Sequence, residues 1–239
     1  MKRFRQLAIF DIDGTLIDTR ATDTDDCFFS VLRATTGRNG FGQDISAFAE
    51  PTSAGIFDEV IRGVHGRQPT SEEITLFQGR LDLAMRAAYI HGKRLPPTTG
   101  AINLLRSMVA GSNWYVAIAT GNWHAEAVVK IESAGLPLQG IPMATASDRM
   151  IRCDILTFAV EYAANHYGVP SWDRTVYFGD GVWDVRAARA CGIPFIGIAD
   201  GERAARLRLE GASCILSDLG DTSAVEAALE QATVPERAK

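Results

Sequence analysis

The sequence predicts an α/β protein: a doubly wound, mainly parallel sheet with an inserted all-helical domain. Three observations carry this expectation. From about residue 98 onward, short apolar runs alternate with helix-length stretches, the pattern of βαβ units. Residues 19–97 hold helix-like patterns with no convincing strand between them. Two apolar runs, 7–10 and 175–178, lead into the acidic motifs Asp11-Ile12-Asp13-Gly14-Thr15 and Gly179-Asp180-Gly181-Val182-Trp183-Asp184. Ligands of open α/β sheets bind at the carboxyl ends of strands, so several carboxylates are expected to meet in one crevice.

The elements follow in order. The run 7–10 is the first strand. Helical patterns cover 24–36, 56–63 and 71–91. Asp23, Asp25 and Asp26 suit the acidic first turn of a helix better than a metal cluster. Gly37, Gly40 and Gly42 follow a helix rather than a strand, so they read as a loop and not as a dinucleotide fingerprint. Thr98 or Thr99 caps a helix through 110 that stops at Gly111. A strand at 114–119, a helix over 122–134 closed by Gly135, and a short strand at 141–144 come next. A long helix over 150–166, the strand before Gly179 and a helix through Ala190 follow. Strands at 194–198 and 213–216 complete the set, with a frayed tail after Thr233. The domain expectation is a core of 1–18 and 98–239 with a helical cap of 19–97.

At 239 residues the chain suits one core domain plus an insertion. Hydrophobic residues at 46% and charged residues at 22% fit an ordinary globular protein. A net charge of −5 leaves no electrostatic footprint for nucleic acid. No stretch has the length of a membrane span. Asp11, Asp13 and Asp18 interrupt the apolar start, which argues against an export signal and for a cytoplasmic protein. Cys27, Cys153, Cys191 and Cys214 are scattered without a Cys-x-x-Cys pair, and read as buried thiols rather than a disulfide or zinc framework.

The chemistry begins with Asp11 and Asp13. Residues two apart on an extended strand face the same way, and Gly14 lets the backbone turn beside them. One carboxylate can attack phosphorus while the other handles the leaving-group proton. The alternative is an ordinary Asp-Gly turn. Crowded carboxylates repel, and a hard divalent cation offsets that repulsion. After the strand 116–119, Thr120, Gly121 and Asn122 open a helix, where a hydroxyl and bare amides form an anion site.

Phe10-Asp11-Ile12-Asp13-Gly14-Thr15-Leu16-Ile17-Asp18-Thr19 resembles the signature of the haloacid dehalogenase superfamily, particularly its phosphoglycolate-phosphatase-like members. The resemblance implies a Rossmann-like core, an aspartyl-phosphate on Asp11, and Asp13 as general acid and then base. Thr15 would support the loop. Thr120 and Gly121 would bind the phosphoryl group. Mg²⁺ would be held by Asp11, Asp180 and the backbone carbonyl of Asp13, with Asp184 orienting metal-bound water or a neighbouring arginine. Asp184 can instead be a helix-start charge complementing the dipole. The family's lysine has no counterpart between Lys130 and Lys239. Arg152 is the preferred substitute and Arg149 the alternative, with cap residues Arg62 and Arg67 next. Glu50-Pro51-Thr52-Ser53 falls where relatives read substrate, although Thr52 and Ser53 are also plain N-cap residues. His124 is either a substrate contact or a solvent-facing helix start.

The expected activity is Mg²⁺-dependent hydrolysis of a small phosphorylated metabolite, by a monomer or homodimer with no nucleic-acid or membrane partner. A phosphomutase and a non-catalytic binding protein on the same fold are the competing readings. Asp13 argues against a dehalogenase.

Overall fold

A computed structural model describes residues 4–19, 25–38, 44–111 and 113–236, with the side chains of Asp25 and Asp26 left aside. Six parallel strands form one sheet in the order β3-β2-β1-β4-β5-β6. They are β1 Gln6–Phe10, β2 Trp114–Ala119, β3 Met143–Ala144, β4 Arg174–Gly179, β5 Phe195–Ile198 and β6 Cys214–Leu216. The strand order reverses between β1 and β4, the switch point at which such sheets open a crevice. Leu7, Ala8, Ile9 and Phe10 are fully buried, as a central strand covered on both faces requires. Phe10 pairs with both Ile118 and Phe178, so the three strands end level. That register brings Asp11, Thr120 and Asp180 to one edge.

The helices between the strands are α4 Ala101–Gly111, α5 His124–Ala134, α6 Arg152–Tyr167, α7 Val182–Cys191, α8 Gly201–Leu209 and α9 Thr222–Gln231. Neither α8 nor α9 is expected from the sequence reading. Helix α8 is rich in arginine and its apolar face is thin, with Ala204 and Leu207 as its buried residues. Helix α4 starts later than Thr98 or Thr99 would set it. Gly100 takes φ +81° against the backbone of Leu219, and the Thr98 hydroxyl has no partner. The tail is not frayed at Thr233: its carbonyl accepts from Phe195 N at 3.1 Å, and Pro235 is buried. Residues 237–239 lie outside the described residues.

Between β1 and α4 the chain is helical: α1 Asp25–Thr36, α2 Ser53–His65 and α3 Ser71–Met85, which runs on into a π-helical turn, Arg86–Ile90. The expected acidic turn at Asp23, Asp25 and Asp26, and the loop glycines Gly40 and Gly42, fall outside the residues or side chains described. Helix α3 opens with a capping box in which Thr70 and Glu73 satisfy each other's backbone donors.

These helices build an aromatic cluster that reaches the sheet domain at Trp123. Phe28, Phe57 and Phe77 surround Trp123, with ring centroids 6.1, 5.9 and 5.5 Å from it. Trp123 sits at the N-cap position of α5, directly after the loop that carries Thr120 and Asn122. Trp123→Ala would empty this shared cluster and should cost about 3–5 kcal/mol of stability, measurable by urea unfolding. A loss under about 1 kcal/mol would show that the cluster collapses onto the gap instead of depending on the indole.

The cysteines depart from expectation. All four are half-buried rather than buried, and Cys153 and Cys191 are not isolated: their sulfurs lie 2.8 Å apart where α6 meets α7. They are 38 positions apart in the chain, so sequence spacing held no sign of the pair. Among the described residues, no helix is long and apolar enough to cross a membrane.

Candidate active site

Asp11 leaves β1 as the sheet ends, its amide donating to the Phe178 carbonyl at 2.9 Å. The chain then folds back on itself, with the Ile12 carbonyl accepting from the amides of Thr15, Leu16 and Ile17. Gly14 sits at φ +70°, where a Cβ would lie 1.9 Å from an Asp180 carboxylate oxygen. Only glycine allows both this left-handed turn and the approach of the second acidic motif. Thr15 is fully buried, yet its hydroxyl has no partner, so it supports the loop by packing and not by a side-chain hydrogen bond.

Asp11 and Asp13 both line a cavity of about 310 Å³, together with Thr120, Gly121, Arg152 and Asp180. Carboxylate oxygens of Asp11, Asp180 and Asp184 all lie within 4.8 Å of one another. Burial pushes the Asp11 carboxyl up to about 7; Arg152 opposes the rise, and Asp184 and Asp13 add to it. Burial likewise raises Asp180 well above the usual carboxylate range; Asp184 adds to the rise and Arg203 opposes it. These carboxylates are costly as they stand, and their hard oxygen donors can hold a metal ion. The residues fit such an ion.

Asp184 is engaged differently. It is fully buried, and one oxygen accepts from the Tyr177 hydroxyl at 2.7 Å. The other accepts from the amides of Asp180 and Gly181 at 3.2 and 3.0 Å. It therefore caps α7, as the helix-start reading has it, and also faces Arg152 at 3.5 Å. With its oxygens so occupied, Asp184 orients the loop, and Asp11 and Asp180 are the better ligands for a cation.

Arg152 is the first residue of α6, and its Nη1 lies 3.2 Å from Asp11 Oδ1. Burial works to lower its pKa, but Asp184 and Asp11 outweigh that and raise it, so the guanidinium stays charged. Arg149 is exposed instead: its guanidinium lies 4.8 Å over the Phe158 ring and donates to the Asp148 carbonyl. The structure thus brings Arg152, not Arg149, to Asp11. Arg62 pairs with Asp58 and Arg67 with Glu73, and neither lines the cavity.

The remaining sequence candidates are placed as follows. Thr120 is buried, and its Oγ1 accepts from the Asn122 amide and side chain. Thr52 caps α2 by accepting from Gly55 N, and its hydroxyl donates to the Met150 carbonyl at 2.8 Å, so it caps and faces the cavity at once. The Ser53 amide donates to the Gly121 carbonyl at 2.7 Å. His124 is exposed at the start of α5.

Three charged residues lie outside the motifs. Arg203 of α8 pairs with Asp180. Lys130 and Glu126, both buried on α5, form an ion pair at 3.2 Å, and Lys130 Nζ also reaches Asp13 Oδ2 at 2.8 Å. A signal for the last two was present. Glu126, Ala127, Lys130, Ser133 and Ala134 repeat at helical spacing along the buried face of α5, so a matched charge pair inside was readable. Arg203 required α8 to be recognised first.

A parallel sheet with an acidic cluster and an arginine at its switch point is the frame in which the comparisons place this chain. The sequence model of the haloacid dehalogenase-like hydrolases matches residues 6–192. The chain belongs to that family. A comparison with curated protein sequences returns no match. Among solved structures, a hydrolase from Pseudomonas syringae is similar with 22% identity and a TM-score of 0.67, covering 91% of this chain and 95% of that one. CbbY from Rhodobacter sphaeroides, in complex with phosphate, has 19% identity and a TM-score of 0.68, covering 94% and 98%. β-Phosphoglucomutase from Clostridium difficile has 11% identity and a TM-score of 0.66, covering 94% and 97%. At such identities the likeness is one of fold.

Proposed function

We propose that this chain is a Mg²⁺-dependent phosphatase that hydrolyses a small phosphate monoester through an aspartyl-phosphate on Asp11. The observation that carries the reading is the cluster of Asp11, Asp180 and Asp184 carboxylates at a cavity where Arg152 meets Asp11 and Asp13 stands alongside. In the first step an Asp11 oxygen attacks phosphorus, the bond to the leaving oxygen breaks, and Asp13 supplies the proton that oxygen needs. In the second, Asp13 takes a proton from water, which attacks the same phosphorus and frees phosphate and Asp11. Thr120 and the Gly121 loop hold phosphoryl oxygens, and Arg152 balances charge that builds on them. Mg²⁺ held by Asp11, Asp180 and the Asp13 carbonyl would neutralise charge on the nucleophile and phosphate. Residues 19–97 act as a cap over the cavity, and the half-buried free thiols suit a reducing cytoplasm.

The test is phosphate release across sugar phosphates, nucleotides, phosphoglycolate and pyrophosphate. Chelator should abolish release and Mg²⁺ restore it; full activity after chelation would remove Asp180 from a metal role. Asp13→Asn should slow alkyl phosphates more than aryl phosphates, because phenols leave with little protonation. The fold shared with β-phosphoglucomutase supports a second reading, a phosphomutase. An isomerised sugar phosphate without net phosphate release would favour it. A folded chain that binds phosphate esters without converting them would favour a binding protein.

A further inference from the structure

Behind the reacting carboxylates lies a buried polar chain that neither acidic motif contains. Lys130 Nζ donates to Asp13 Oδ2 at 2.8 Å and to Asn122 Oδ1 at 2.9 Å, and lies 3.2 Å from Glu126 Oε1. Asn122 Nδ2 donates to the same Asp13 oxygen at 2.7 Å. The other Glu126 oxygen accepts from Ser53 Oγ at 2.7 Å, and Ser53 is the first residue of α2 in the inserted helices. Asp13 Oδ1, by contrast, is buried with no hydrogen-bond partner.

An ion pair within α5 has a plain structural reading, as an i, i+4 pair. That reading leaves two features unexplained. Burying a lysine and a glutamate is unfavourable compared with apolar side chains of similar size, so stability alone does not favour them here. Two donors also converge on one oxygen of Asp13, while the other is buried without a hydrogen-bond partner. A carboxylate held at one oxygen cannot rotate, and the direction of its second oxygen is then set.

We propose that Lys130 is a positioning residue for Asp13. With Asn122 it holds Oδ2, which fixes the orientation of the carboxyl that exchanges the proton with the leaving group and then with water. Glu126 and Ser53 extend the hold to the inserted helices, so proton transfer depends on their docking. This rests on the phosphatase reading of Asp13.

The test compares Lys130→Met and Ser53→Ala on two esters, 4-nitrophenyl phosphate and glycerol 2-phosphate, with kcat and KM measured separately. Proton transfer to the leaving group matters for the alkyl ester and little for the nitrophenyl ester. Lys130→Met should lower kcat on glycerol 2-phosphate about 10-fold or more beyond its effect on 4-nitrophenyl phosphate. Ser53→Ala, which removes one hydroxyl and keeps the fold if Lys130→Met does not, should show a smaller loss of the same kind. In an Asp13→Asn background Lys130→Met should add little, since the group it positions is already gone. Equal losses on both esters, or full additivity with Asp13→Asn, would overturn the assignment. If the unaltered protein releases phosphate from no compound in the full substrate screen, the phosphatase reading itself has failed, before any variant is compared.

Discussion

Asp11→Asn should abolish turnover and leave the fold intact. The attacking oxygen belongs to this side chain, and an amide of the same shape cannot form the acyl-phosphate. Stability should not suffer. Burial raises the Asp11 carboxyl from its ordinary 3.8 to about 7 in the folded protein. A carboxylate whose pKa rises on folding weakens the fold as pH climbs between those two values, and that penalty is complete once pH exceeds the folded value. Asn cannot ionise, so the metal-free variant should melt no lower than the unaltered metal-free protein at pH 8. Calorimetry and a phosphate-release assay on one preparation check both halves. Substantial Mg²⁺-dependent turnover by folded Asp11→Asn would sink the mechanism.

Arg152→Ala carries the next largest effect. Its guanidinium stands between Asp11 and Asp184, 3.2 and 3.5 Å away. Losing a charge-assisted contact in a closed site costs on the order of 2–4 kcal/mol of transition-state stabilisation, roughly 10²-fold or more in turnover. Removing one partner from a buried charge group also destabilises by about 3–5 kcal/mol, so the variant should melt earlier. Arg152→Lys should recover part of the rate if charge alone matters, because lysine cannot reproduce the planar fork. Arg149→Ala should do little, as its side chain is exposed beside Phe158. A crippling Arg149→Ala with a mild Arg152→Ala would reverse the assignment.

The strand-end carboxylates were legible because their geometry is local. Asp11 and Asp13 stand two apart just past an apolar strand, and Gly14 marks the turn that follows them. The alternating core was legible because buried parallel strands are apolar throughout and their helices end in glycine. The C-cap glycines Gly135, Gly168 and Gly192 all adopt positive φ. Helices α8 and α9 escaped because short helices with few buried residues carry a weak periodic signal.

What the chain's local pattern settled was therefore the fold class, the six strands, the helices as far as α7, and the carboxylates at the strand ends. What packing settled was which side chains meet them. Arg149 and Arg152 are three residues apart, but α6 begins at Arg152 and Arg149 stays in the segment before it, so one reaches Asp11 and the other Phe158. Lys130 reaches Asp13 across 117 positions, Arg203 reaches Asp180 from a different helix, and Trp123 joins two sets of helices. Strand periodicity operates within a few residues, whereas these contacts depend on helix phase and on how elements distant in sequence pack, which no short window of sequence contains.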